Sequence, residues 1–274
     1  MTLRASGFWP ETLLAIETME AALVIARSGI GAQDITAKGE RDLVTETDLA
    51  VEDAIRDLIG VPLGFPIVGE ERGGEAPTDG SPYWLVDPIC GTRNFASRIP
   101  LYCINLALVE DGGVTVAVVG NPAIDEIHVA ERDRGAWVVK EGFRRRLTSI
   151  DESGIIVIED ATTKGDRRER VAGFTAAVIR ADRWDFRSFG TSLSLSYLAA
   201  GQIAAYVLFS SSAVHFGAGS LLVTEAGAIL TDIDGRPWTI RSDSAIVSAS
   251  SDLHRVLLEL ARTASPSGPR IPTS

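Results

Sequence analysis

Residues 84–95 read WLVDPICGTRNF, and the order of residue types in that stretch governs how the rest of the chain is read. Trp84, Leu85 and Val86 have strand character and are bounded by Pro82 and Pro88. Asp87 sits where such a strand would end. Cys90 and the small pair Gly91-Thr92 then lead into Arg93-Asn94. A strand that ends in an acid and runs through a Gly-Thr turn offers metal ligands and backbone N–H groups in one place. That combination suits phosphate chemistry.

Working outward, 274 residues allow one large domain or two halves with a sizeable core. No apolar run reaches membrane-span length, and Met1–Trp9 is too short and polar for an export signal, so a cytoplasmic protein is expected. The formal net charge of −11 argues against a nucleic-acid partner. Surplus carboxylates serve solubility or divalent cations. Cys90 and Cys103 are the only cysteines and make no disulfide framework.

In chain order, a helix is expected over residues 8–29, with apolar residues recurring near helical spacing. A second helix starts after Thr45 or Thr47 as cap, faces Leu49, Ala54, Ile55, Leu58 and Ile59 inward, and closes at Gly60. Residues 66–69 read as a short buried strand delivering Glu70-Glu71. Strands follow over 102–109, 114–119, 127–130 and 136–139, with hairpin turns at Asp111-Gly112-Gly113 and Asp133-Arg134-Gly135, which together make an antiparallel meander. A second unit beginning near Ile150 mixes strands and helices, and residues 265–274 are expected to be disordered. The division is therefore an α+β half at 1–149 carrying the acidic motifs, an α/β half at 150–264, and a tail.

Three acid-bearing element ends lie within fifty residues and precede the Gly-Thr turn: Asp42 and Asp48 at the second helix, Glu70-Glu71 after a strand, and Asp87. Singly each reads as a helix-dipole acid, a solvated strand end or a turn residue. Together they point to a divalent-metal site. Arg93 either offsets phosphoryl charge or is an exposed helix-start residue. Cys103 reads as a buried structural residue, and His128 and His254 as surface residues.

Lys38…Asp42-Leu-Val-Thr45-Glu-Thr-Asp48, Val68-Gly-Glu70-Glu71, the 84–95 stretch, Gly190-Thr191 before a helix, and Gly217-Ala-Gly219 through Glu225-Ala-Gly227 resemble the inositol monophosphatase family, over about residues 10–262. The resemblance implies the five-layer αβαβα sandwich shared with fructose-1,6-bisphosphatases. It also implies a homodimer and Mg²⁺-dependent hydrolysis of a small phosphate monoester. It assigns Glu70 and Asp87 to the first metal, with the carbonyl of Ile89 and the hydroxyl of Thr92. Thr92 and Asp48 would position the attacking water, and N–H groups of Gly91 and Thr92 would bind phosphate. Lys38 would lie near the metal loop, or is simply solvated.

Three departures from that family's pattern bear on the chemistry. Cys90 replaces an acid, Val214-His215 replaces a Trp-Asp pair, and Leu208 stands where an acid grips inositol-like hydroxyls. The water-activating half is kept, whereas the half that assists the leaving oxygen has lost its two private carboxylates. Cys90 and His215 together suit Zn²⁺ or Fe²⁺ better than Mg²⁺. The readings that follow are a phosphatase with a modified second metal position acting on a small phosphorylated sugar, cyclitol or nucleotide-like metabolite; a phosphatase-fold enzyme repurposed for non-hydrolytic or Zn/Fe chemistry; and a non-catalytic binding protein. Cys90 as a covalent nucleophile is a further alternative.

Overall fold

The fold is seen in a computed structural model that describes residues 7–31, 35–39, 42–149, 153–159 and 166–263. The expected tail at 265–274 and the side chains of Lys38 and Asp42 lie outside the described residues. The chain opens with α1 (Pro10–Gly29), the hairpin β1 (Ile35–Gly39) and β2 (Asp42–Thr45), and α2 (Glu46–Ile55). Next come α3 (Val61–Leu63), β3 (Ile67–Gly69), β4 (Tyr83–Cys90) and the short α4 (Thr92–Ala96). The meander follows as β5 (Cys103–Glu110), β6 (Gly113–Asn121), β7 (Glu126–Glu131), β8 (Gly135–Lys140) and β9 (Phe143–Arg146). The remainder is β10 (Ile155–Glu159), α5 (Asp166–Arg180), β11 (Asp185–Arg187), α6 (Leu193–Ala199), β12 (Ala205–Leu208), α7 (Ala213–Glu225), β13 (Ile229–Thr231), β14 (Ala245–Ser248) and α8 (Ser251–Thr263).

These elements stack as five layers. One sheet runs β3-β4-β5-β6-β7-β8-β9 and the other β11-β10-β12-β14-β13. Strand alternation sorts side chains between the layers. Trp84 and Val86 of β4 face α1 and α2, where they meet Met19, Leu23 and Ile55. Leu85, between them, faces the central helices α6 and α7 with Leu195, Phe216 and Leu222. On the second sheet Tyr206 and Val247 face the same central layer, while Val207 and Ile246 face α5 and α8 with Phe174 and Leu257. Because both faces of β4 are covered, its sequence is a near-continuous apolar run rather than an alternation.

The central helices pack closely because α7 is glycine-rich on the contact. A Cβ added at Gly219 would lie 2.1 Å from Leu195 Cδ1, and one at Gly217 would lie 3.1 Å from Leu85 Cδ1. Glu225 at the end of α7 does more than finish a helix. Its carboxylate accepts the N–H groups of Asp133 and Gly135, both at 2.7 Å, and ties the β7–β8 turn to the central layer.

Two expectations are corrected. The second helix does not close at Gly60: a π-helical turn (Arg56–Gly60) and α3 (Val61–Leu63) carry it on to Gly64, where φ is 66°. Its buried stripe is Val51, Ile55 and Ile59, four residues apart, so Leu58 falls off the stripe and is 42% exposed. The histidines read as surface residues are buried. His128 lies in β7 between strands on both sides, and burial lowers its pKa to about 4. His254, on the sheet-facing side of α8, has Nδ1 2.8 Å from the Ser248 hydroxyl and Nε2 3.0 Å from that of Thr231.

The α6–α7 contact gives a stability prediction. Gly219→Val overpacks it and lowers the free energy of unfolding by about 1–3 kcal/mol, measured by urea denaturation. Leu195→Ala in the same chain recovers part of that loss, and strictly additive effects would contradict the contact.

Candidate active site

The site forms where β4 ends. In the pairing of β4 with β5, Asp87 stands opposite Asn105 and Cys90 opposite Cys103, with an irregularity between the two pairs. Pro88, which cannot donate a ladder hydrogen bond, is accommodated at that irregularity. The irregular segment also brings the Ile89 carbonyl to 3.1 Å from the Thr92 hydroxyl, which donates to it. Gly91 then turns the chain at φ 101°; a Cβ there would meet the Leu101 carbonyl oxygen at 3.0 Å and Thr191 at 3.1 Å, so only glycine fits. Asn94 fastens the turn by donating to the carbonyls of Leu101 at 2.7 Å and Phe189 at 2.6 Å.

Asp48 and Thr92 meet although 44 residues separate them in sequence. Asp48 sits in the first turn of α2 in a capping box with Thr45, and accepts the Thr45 N–H at 2.9 Å and the Thr45 hydroxyl. Its second oxygen lies 3.4 Å from the Thr92 hydroxyl. Asp48 is 1% exposed, and burial raises its carboxyl above the ordinary range despite the hydrogen bonds from Thr45. Such a carboxylate is a better proton acceptor near neutral pH than a solvated one.

Beside this pair, acids and a thiol crowd together. Asp87 is fully buried, and its Oδ1 has no hydrogen-bond partner among the described residues. Burial, with the neighbouring Glu70 and Cys90, raises its carboxyl well above the usual carboxylate range. Glu70 is exposed as a residue, yet its carboxyl lies on the buried side near Asp87; burial of that group, and then the Cys90 charge, raise it above the ordinary range as well.

His215, three residues into α7, is the cation in this crowd. Its Nδ1 lies 3.2 Å from Cys90 Sγ and 3.4 Å from Asp87 Oδ2. Burial by itself would lower its pKa, but the charges of Cys90 and Asp87 hold it well above the ordinary value. Burial would likewise raise the Cys90 thiol; hydrogen bonding with Cys103, and then the His215 charge, outweigh it and leave the thiol well below its usual range.

Asp87, Cys90 and His215 each present one ligand atom, all within 4.8 Å of one another. The Nδ1 proton of His215 lies between a sulfur and a carboxylate oxygen, a place that a cation would also satisfy. The orphaned oxygen of buried Asp87, with the Glu70 carboxyl as its neighbour, fits the same need. The residues present therefore fit a metal ion, with sulfur, nitrogen and oxygen donors of the kind Zn²⁺ and Fe²⁺ accept.

Of the residues singled out from sequence, Asp48, Glu70, Asp87, Ile89, Cys90, Gly91, Thr92 and His215 converge on this place. Arg93 is exposed on α4, and Leu208 is buried in β12 opposite Glu159. Sequence reading missed the residues that hold the site together. Glu159 accepts the N–H groups of Phe189 at 2.8 Å and Gly190 at 2.9 Å and the Ser188 hydroxyl at 2.8 Å, shaping the loop before α6. Thr191 donates its hydroxyl to the Cys90 carbonyl at 2.9 Å. Ser192 and Asn105 reach Cys90 and Asp87 directly. Cys103, taken as inert packing, borders the same cluster. The one sequence signal for the loop was Gly190-Thr191 ahead of a helix.

The arrangement is a two-sheet, five-layer sandwich with acidic residues gathered at the end of a buried strand. Comparison with known proteins agrees. The profile of the inositol monophosphatase family matches residues 11–265, and the chain belongs to that family. It is 32% identical over 237 residues to a histidinol-phosphatase of Mycobacterium tuberculosis, covering 82% of this chain and 88% of that one. It is 30% identical over 231 residues to an inositol-1-monophosphatase of Mesorhizobium japonicum, covering 82% and 85%. Among solved structures, an inositol monophosphatase of Thermotoga maritima superposes with a TM-score of 0.80 at 26% identity, covering 91% of this chain and 96% of that one.

The crowding predicts a pH-dependent cost in the metal-free protein. Asp87 binds its proton more tightly folded than unfolded, so stability is lost as pH rises from the ordinary carboxylate range through the raised folded value. Asp87→Asn removes that loss. It is expected to raise the unfolding free energy of the metal-free chain at neutral pH by about 1–3 kcal/mol, with the gain vanishing at about pH 3. A destabilised Asn variant at neutral pH, measured by urea titration after chelation, would contradict this.

Proposed function

We propose that the chain is a metal-dependent phosphatase acting on a small phosphorylated sugar, cyclitol or nucleotide-like metabolite, with its second metal position rebuilt around Cys90 and His215. The observation that carries this is the meeting of Asp48 and Thr92 beside the unpartnered Oδ1 of buried Asp87. Relatives named as phosphatases for different substrates support the reaction class and leave the substrate open. Leu208, apolar and buried, speaks against inositol-like hydroxyls being gripped at that position.

In this reading Glu70, Asp87 and the Ile89 carbonyl would hold the first ion. A divalent cation there would supply positive charge that makes a water easier to deprotonate and offsets charge on the phosphoryl group. With the Ile89 carbonyl, to which the Thr92 hydroxyl otherwise donates, taken up as a ligand, Thr92 Oγ1 would accept a hydrogen bond from the attacking water and pass its own proton toward Asp48 Oδ1. Burial of Asp48 suits it to that transfer. Backbone N–H groups at Gly91 and Thr92, with Arg93 at the rim, bind the phosphoryl oxygens. As the bond from phosphorus to the ester oxygen breaks, the departing oxygen would be met by positive charge at this position, from an ion held by Cys90 and His215 or, without one, from the His215 imidazolium. We take the protein as a cytoplasmic homodimer on the family resemblance.

A second reading is favoured by the Asp87–Cys90–His215 donor set itself. With Zn²⁺ or Fe²⁺ bound there, the fold could serve chemistry other than monoester hydrolysis, with phosphate as the binding handle.

Elemental analysis of the purified chain separates the two: Mg²⁺-restored turnover without bound Zn or Fe supports the first, and near-stoichiometric Zn or Fe the second. On a panel of phosphate monoesters, Thr92→Ala and Asp48→Asn should each lower kcat by about 10²–10⁴-fold. Asp87→Ala should abolish turnover, and retained activity would sink the hydrolase reading. Cys90→Asp combined with His215→Asp should yield ordinary Mg²⁺-dependent hydrolysis.

A further inference from the structure

Cys90 differs from a buried structural cysteine in how its sulfur is surrounded. Beyond His215 and the neighbouring Cys103, two donors from a single residue converge on it: the Ser192 N–H and the Ser192 hydroxyl, each 3.0 Å from Sγ. Ser192 is itself 1% exposed, and its hydroxyl oxygen lies 2.8 Å from Asn105 Nδ2.

The direction of these bonds follows from chemistry. Asn105 Nδ2 also lies 3.4 Å from Asp87 Oδ2, so the group facing that carboxylate must be the amide N–H₂, not the amide oxygen. Asn105 Oδ1 then turns toward the Cys103 thiol, 3.9 Å away. With Asn105 donating into Ser192 Oγ, the single hydroxyl proton of Ser192 faces two sulfurs, Cys90 Sγ at 3.0 Å and Cys103 Sγ at 3.4 Å, and the shorter separation directs it at Cys90, leaving the Cys103 thiol to donate. The chain Asn105 N–H to Ser192 O–H to Cys90 Sγ is thus oriented in one sense.

The backbone beneath it is fixed as well. Glu159 clamps Phe189 and Gly190, and Thr191 donates to the Cys90 carbonyl. Outer donors of this kind fix the orientation of a metal-ligating sulfur and tune its affinity.

We propose that Ser192, oriented by Asn105, is a positioning residue that aims the Cys90 sulfur at the space shared with His215 Nδ1 and Asp87 Oδ2, making Cys90 a ligand for a borderline cation such as Zn²⁺ or Co²⁺. This rests on the placement of a metal at Cys90 and His215 argued above. It adds that a side chain outside the ligand set decides whether sulfur takes part.

The test is a Co²⁺ titration of the full-length chain after chelation, read by the near-ultraviolet sulfur-to-cobalt charge-transfer absorption and by the Zn²⁺ concentration that displaces it. The unaltered chain should show the absorption. Ser192→Ala should weaken binding about 10–100-fold and diminish or shift the absorption. Ser192→Thr, which keeps the hydroxyl, should restore both. In a Cys90→Ser background, Ser192→Ala should cause no further loss, which separates positioning of sulfur from general damage to the fold. Unchanged affinity and absorption in Ser192→Ala, or an equal loss in the Cys90→Ser background, would overturn the proposal. Absence of the absorption in the unaltered chain would overturn it too. Mg²⁺-dependent phosphate release, measured separately, then shows whether the hydrolase reading stands without it.

Discussion

The structure turns on a concentration of negative charge at the end of β4. Asp87 is removed from water with one oxygen unsatisfied among the described residues, Glu70 adds a second carboxyl beside it, and Cys90 adds a thiol pushed toward ionisation. An unpaired buried charge costs several kcal/mol, and removing water strengthens every interaction among the survivors. His215 answers part of that demand with one positive charge, and the donor atoms of Asp87, Cys90 and His215 fit a metal ion for the rest. The surrounding donors, from Thr45 on Asp48 to Ser192 on Cys90, are arranged about the same demand.

Bringing those groups together is the work of the stacked sheets. β4 contributes Asp87 and Cys90 from the first sheet, and α7 contributes His215 from the layer between the sheets. The segment between β11 and α6 carries Thr191 and Ser192 under the control of Glu159 in the second sheet. The central helices can hold this register because glycines at 217 and 219 let α7 approach both β4 and α6. A shift of α7 by even one turn, about 5.4 Å, would take His215 out of reach of Cys90. The core and the site are therefore coupled through the same helix.

Much of this was legible in the chain. Trp84–Phe95 reads as a strand ending in an acid, then a glycine turn, because strand propensity, proline placement and glycine's backbone freedom are local properties. The hairpin turns at Asp111-Gly112 and Asp133-Arg134-Gly135 were legible for the same reason. Family resemblance supplied the site residues, and it also made Cys90 and His215 conspicuous as substitutions. Local pattern failed where burial depends on what packs from elsewhere. His128 and His254 read as surface residues because one histidine in a strand or helix carries no mark of the layer above it. Leu58 read as inward because a π-turn shifts the helix face without a sequence signature.

By itself, then, the sequence determined most of the elements and, through its resemblance to a family, the five-layer class and the paired replacement of two acids by a thiol and an imidazole. Only the tertiary structure decided that those two replacements touch, with Cys90 Sγ 3.2 Å from His215 Nδ1 across 125 residues of chain. It also decided that Ser192, Asn105 and Glu159 are the groups that hold them. The physical reason is that hydrogen-bond geometry and desolvation depend on separations of a few ångströms in space, while local sequence pattern records neighbours only along the chain.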